Sequence, residues 1–208
     1  MYKIDASSLL SAAEWGYNTA VNGIHLLWTV QKFADDYLRT KNYNKNEAID
    51  SLIRFQVAKT FSSGFISNIG GIATLPVAVP AELTSLFYIQ LRMVAAIAYI
   101  RGYDIYCDQI KVLAIACLVG DTVINIFKDV GLQIGKDLLL NTVKSIPIKI
   151  LLEINKRVGM RLLTKFGQTG IVNIGKIIPI VSGVIGGTID SSSTLSVGKV
   201  CKKVFTAE

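Results

Sequence analysis

The sequence predicts an all-α protein, a single compact multi-helix domain whose apolar helices are interrupted by glycine and proline. Three observations carry this expectation. Apolar residues recur at three- and four-residue spacing along most of the chain, which is the period of one helix face. No stretch alternates apolar and polar residues between hairpin turns, as a half-buried strand would. The 208 residues suit one shared core, because domains run to about 100–200 residues, so a single domain is expected over 1–208.

Helices are expected first at 7–18 and 20–40. In the second, Ile24, Leu27, Trp28, Val30 and Phe33 fall on the inward side, while Asp35, Asp36 and Arg39 face water. The polar run at 40–46 reads as a loop. Over 46–63, Ile49, Leu52, Ile53, Val57 and Phe61 share one face at helical spacing. Glycine and proline then break the chain over 64–79. Pro80 opens a helix over 80–101, since a first-turn proline lacks only an N–H that would go unused. Glu82 suits the positive end of that helix and Arg101 the negative end, with Gly102 as its stop. Asp104 is a suitable cap for 105–118. Gly120 and Asp121 break and restart the chain, and 122–145 continues as an apolar helix weakened by Gly131 and Gly135. Pro147 opens 148–166, and segments at 171–189 and 191–206 close the fold.

Composition points toward a membrane or a covering partner. Apolar residues make up 51% and charged residues 18%, against about 25% charged in an average soluble domain, and mean hydropathy is +0.45. Two stretches approach the roughly 20 apolar residues that a spanning helix needs. Residues 60–81 carry no charge but contain several glycines and two prolines, and 177–189 is short and ends at Asp190. Arg92 and Arg101 interrupt the apolar 83–100 stretch, and a charge at the bilayer centre costs about 2.5–3.5 kcal/mol on insertion scales. Peripheral or partial insertion is therefore favoured over a multi-pass arrangement, with segments 64–100 and 171–189 approaching lipid. The amino terminus lacks a basic region followed by an apolar run and a cleavage site. Cys107, Cys117 and Cys201 are widely spaced and odd in number, which suits buried thiols in a reducing compartment. A cytoplasmic protein associated with a membrane is expected.

Catalytic chemistry finds little material. His25 is the only histidine, so a Ser-His-acid or Cys-His site would have to use it, and its apolar neighbours suit a packing role. No Cys-His cluster has zinc spacing. The glycines at 70–71 and 183–187 do not complete a phosphate-loop pattern; at three- and four-residue spacing they suit close helix packing. A non-enzymatic protein without a cofactor is expected.

Two residue sets stand out. Between 136 and 176, eight basic residues oppose Asp137 and Glu153, nearly the whole of the net charge of +7. Within this segment Lys149, Lys156, Arg157, Arg161 and Lys165 lie beside Ile150, Leu151, Ile154, Val158 and Leu162. Such a basic amphipathic helix can lie on an anionic membrane, or it can be the solvated face of a core helix. No stacking aromatics interleave the stripe, so nucleic acid is not an expected partner. The second set is Glu82, Arg92, Arg101, Asp104, Asp121 and Asp190, charges embedded in apolar segments. They read either as a polar cluster at a ligand or membrane contact, or as helix caps with an internal salt bridge for Arg92.

The motifs Gly70-Gly71-Ile72, Thr74-Leu75-Pro76, Pro80-Ala81-Glu82-Leu83-Thr84, Gln90-Leu91-Arg92-Met93, Ile97-Ala98, Arg101-Gly102-Tyr103-Asp104 and Gly120-Asp121 resemble those of the EcsC family. Gly167-Gln168-Thr169-Gly170, Gly175-Lys176, Ile178-Pro179 and Gly186-Gly187 extend the resemblance, so that it covers about residues 60–200. Asp190 departs from the asparagine common in that family. The resemblance implies a bacterial, helical protein linked to membranes or transporters, with no established catalytic residues. The expected function is thus a membrane-associated helical protein that regulates or assists a transporter or another membrane process. A soluble adaptor or immunity-type protein and a membrane-permeabilising effector are the alternatives, and the oligomeric state is left open.

Overall fold

Residues 81–101 are apolar on every side, and a helix of that kind persists in water only when other elements wrap it. The computed structural model, which describes residues 4–23, 28–61, 79–167 and 182–206 apart from the side chains of 61 and 182–190, shows this wrapping. The described chain is all-helical: α1 (Ala6–Asn22), α2 (Val30–Thr40), α3 (Lys45–Phe61), α4 (Ala81–Arg101), α5 (Asp108–Ala116), a 3-10 turn (Cys117–Thr122), α6 (Val123–Asp129), a short 3-10 turn (Val143–Ser145), α7 (Ile148–Phe166) and α8 (Ser182–Val204). Helix α4 is the axis. Every residue from Leu83 to Ala98 is buried, because α1, α2, α3 and α8 surround it and α5 packs near its end.

Two helical stretches, Ala81–Arg101 and Asp108–Asp129, are long and apolar enough to cross a membrane by length and composition, with mean hydropathy 1.5 and 2.0. In this fold 94% and 72% of those windows are buried by protein. The expectation that 64–100 approaches lipid is therefore corrected over 83–100, where the covering is supplied by neighbouring helices. The other lipid-facing expectations, over 64–78 and 171–181, lie outside the described residues.

Several boundaries follow the expected punctuation. Gly102, left-handed at φ 97°, ends α4, and its N–H donates back to the last turn. Pro147 precedes α7. Other expectations are corrected. The helix expected over 20–40 is divided: α1 ends at Gly23, at φ 75°, and α2 starts afresh with the Thr29 hydroxyl accepting from the Lys32 N–H. Trp28 consequently sits outside, half exposed, while Val30 is buried as expected. The long helix expected over 122–145 stops at Asp129, since Gly131 and Gly135 both adopt positive φ and the chain turns repeatedly up to 147. No break occurs near 190, where α8 continues.

Gly120 shows most clearly why one residue type is required. Its φ of 67° and ψ of −146° lie where side chains with a Cβ are strained. A Cβ there would also stand 2.7 Å from the Ser196 Oγ of α8. Gly120→Ala is expected to destabilise the protein by about 1–3 kcal/mol from backbone strain alone, read as a lower urea midpoint. Adding Ser196→Ala should relieve only the contact with Oγ; full recovery by the double variant would contradict the strain assignment.

Candidate functional site

Helix α7 forms a second layer, packed mainly on α1 and α5, and it meets α4 at its C-terminal end, where the Phe166 ring stands edge-on to Phe87 at 5.4 Å. Its inward stripe is Leu151, Ile154, Val158 and Leu162, with Gly159 between them. Gly159 permits the close approach of α1: a Cβ at that position would lie 2.9 Å from the Leu10 Cδ1. One face is thus committed to packing, and the opposite face is left to solvent.

That outer face is not an ordinary polar one. Ile148, Leu152 and Met160 are 74%, 63% and 56% exposed, and at 1.5 Å per residue they extend over about 18 Å. Lys149 and Lys156 fall in the same sector of the helix and are exposed, while exposed Arg161 lies about 100° further round the helix from Met160. None of these three cations forms an ion pair among the described residues. The other two members of the basic stripe are engaged within the protein. Arg157 binds the carboxylates of Asp129 at 2.9 Å and Glu153 at 2.8 Å. Lys165 exposes its stem but turns its ammonium to the Leu118 carbonyl at 3.1 Å and the Ser193 hydroxyl at 3.2 Å. Loss of hydration at that head depresses its pKa. The stripe therefore divides into three outward cations and two internal ties.

The embedded charges are not gathered into one cluster. Glu82 is exposed in the first turn of α4 and Arg101 stands in its last turn, about 28 Å apart along the axis. The Arg101 Nη2 donates to the Asn46 side-chain oxygen at 2.9 Å. Asp104 does not cap the following helix, whose N-cap is Cys107. Its carboxylate instead accepts from the Lys144 ammonium at 2.9 Å and the Tyr106 N–H at 3.2 Å. The Lys144 bond, then that of Tyr106, lowers its pKa. Asp121 lies in the 3-10 turn, 3.8 Å from the Lys203 ammonium, with both side chains exposed. The side chain of Asp190 and the whole of His25 lie outside the described residues.

Arg92 corrects a further expectation, because among the described residues it has no acidic partner. It is 6% exposed. One Nη2 donates to the Trp28 carbonyl at 3.3 Å, and the guanidinium lies 4.2 Å from the Phe33 ring centre. Face-on aromatic contact attracts a cation, so its two stabilising contacts come from α2 and from the residue just before its cap. Burial depresses its pKa. Lys59 of α3 feels the same surroundings: burial first, then the charge of Arg92, bring its pKa down to about 8.

The exposed apolar residues of α7 escaped sequence reading, although a signal was present. Ile148, Leu152, Lys156 and Met160 repeat every four residues, a row that drifts from about 60° off Leu151 at Ile148 to the far side of the helix at Met160. Comparison of the chain with family models, with curated proteins and with solved structures gives no match.

Arg92→Met should change stability by less than about 2 kcal/mol in either direction, because a flexible apolar chain replaces a buried cation without an ion pair; a loss above about 3 kcal/mol in urea unfolding would indicate a buried acidic partner. Lys59 binds its proton less tightly when folded than when unfolded. From pH 7 to 10, through the folded value near 8, the unfolded state retains more protons at this site, so its contribution to stability rises with pH. Wild type should therefore gain on Lys59→Met across that range, and a constant difference between the two would contradict the shift.

Proposed function

We propose that this chain is an amphitropic helical protein that binds the surface of an anionic membrane through the outer face of α7, in support of a membrane transporter or another membrane process. The observation that carries this reading is the combination of Ile148, Leu152 and Met160, all exposed, with the outward Lys149 and Lys156 in the same sector. Apolar side chains enter the headgroup boundary while lysine and arginine stems reach toward phosphate. Glu153 is the one acidic side chain on this helix. Its bond to Arg157 removes the repulsion that it would otherwise bring to an anionic surface. The resemblance of residues 60–200 to the EcsC family, with its link to membranes and transporters, supports the same setting.

Surface binding of this kind asks no helix to leave the core. Insertion of Ala81–Arg101 or Asp108–Asp129 would require the surrounding helices to separate, exposing the apolar faces that now cover them. The permeabilising alternative therefore needs a large rearrangement that surface adsorption does not. A protein partner on the same three apolar residues is the second reading, favoured by the exposure of Ile148 and Leu152 on adjacent turns with Met160 two turns on.

Flotation with phosphatidylcholine vesicles, with and without phosphatidylglycerol, separates these readings. Binding is expected on anionic vesicles and should weaken with salt, because exposed charges are screened over about 8 Å at physiological ionic strength. Lys149→Ala and Lys156→Ala should each weaken partitioning by roughly fivefold, from about 1 kcal/mol per basic residue near the surface. Arg157→Ala should weaken it less. Equal binding to neutral vesicles, or none to either, would reject the reading, and absence of flotation would favour a protein partner.

A further inference from the structure

Beyond α7, the protein exposes large aromatic side chains at the start of α2 and at the turn before α5. Trp28 is 50% exposed and Tyr106 is 66% exposed. They belong to one locality, because the Gln31 amide donates to the Tyr106 hydroxyl and Gln31 lies three residues from Trp28. The Lys32 ammonium rests 4.3 Å from the centre of the Trp28 ring. Lys32 itself is exposed and has no carboxylate partner among the described residues.

Hydrogen bonds also tie this locality to the beginning of α7. Asp104 accepts from the Tyr106 N–H and from the Lys144 ammonium. The Gln109 amide, one turn after Tyr106, donates to the Lys144 carbonyl at 3.1 Å and approaches that of Ile146 at 3.5 Å. Ile148, the most exposed apolar residue of α7, follows two residues later. Tyr106 is thus bonded to Gln31, near Trp28, and Asp104 and Gln109 on either side of it are bonded to the 144–146 segment that leads to Ile148.

We propose that Trp28, Lys32 and Tyr106 form a second contact with the same anionic bilayer, an aromatic edge that sits at headgroup level beside the start of α7. Tryptophan and tyrosine concentrate at membrane interfaces because the ring is apolar and its polar atom stays wet. The chemistry selects lipid here through Lys32, which supplies positive charge next to the ring. The contact has a limit on α2. Asp35 and Asp36 follow one turn later, and Asp36 is neutralised by Arg39 while Asp35 is exposed, so the acidic turn marks where the protein leaves the surface. With two contacts, α7 and the aromatic edge define the tilt of the protein on the membrane, whereas a single helix would leave it free to roll.

This inference rests on the surface binding proposed for α7, and one experiment distinguishes their failures. Full-length wild type and Trp28→Phe are bound to phosphatidylcholine–phosphatidylglycerol vesicles, and quenching of tryptophan emission by aqueous iodide is compared. Trp15 is common to both, so the difference isolates Trp28. The difference signal should be quenched freely in solution, then become shielded and shift to shorter wavelength on vesicles. Trp28→Ala leaves the carbonyl that Arg92 uses, so the fold keeps that bond, and it should weaken partitioning by about fivefold, the effect of re-exposing roughly half a large apolar side chain. A protein that floats while its Trp28 signal stays fully open to iodide, or whose partitioning ignores Trp28→Ala, overturns the aromatic edge and leaves the α7 contact standing. No flotation overturns both.

Discussion

Covering α4 is the constraint on which the rest of the structure depends. A 21-residue helix with nearly every side chain buried has no face to offer water, so the remaining helices are arranged around it. At about 25 cal/mol per Å2 of apolar area removed from water, failure to cover such a helix would outweigh the few kcal/mol by which a domain is stable. Helices α1, α2, α3 and α8 meet that demand directly. Arg92 is the exception within the covered stretch. Its position is tolerated because the Trp28 carbonyl, just before α2, and the face of Phe33 in α2 meet the guanidinium.

Helix α7 is largely released from this duty because it lies one layer further out, touching α4 at its end through Phe166 and Phe87. Its inward stripe satisfies α1 and α5, with Gly159 allowing the close approach. Nothing in the packing of the core requires isoleucine, leucine and methionine on the opposite side. Their presence there, together with outward lysines, is what separates α7 from the solvated surface of a core helix, where polar residues alone would suffice. The internal ties of Arg157 and Lys165 fix the helix in rotation, through Asp129 on one side and through the 3-10 turn and α8 on the other. The outward face is thereby held in a single orientation.

Much of the fold was legible in the sequence where a local cause decides the structure. Gly102 and Pro147 mark helix boundaries through their own backbone preferences, and Gly120 marks the break in the same way. The division at Gly23 was hidden because the apolar pattern continues through it. Gly131 and Gly135 were visible, but helix propensity alone makes a glycine a modest penalty; only the folded chain places both at positive φ. The site was less legible, since pairing depends on residues far apart in sequence. Asp104 reaches Lys144, and Arg157 reaches Asp129, which turns an expected cap and an expected lipid contact into structural ties. Arg92 lacks a salt bridge for the same reason: no acidic side chain of the described helices packed against it reaches the guanidinium, a property of the neighbours rather than of α4.

Hydrogen–deuterium exchange of the full chain, with and without anionic vesicles, tests most directly whether the membrane is met by α7 with the core intact. Added protection is predicted at the exposed start and middle of α7, around residues 148–161, while the amides of α4 keep the slow exchange of a covered helix. Loss of protection across α4 on vesicles, with no change at α7, would contradict the account and show that the central helix leaves its wrapping to meet the lipid.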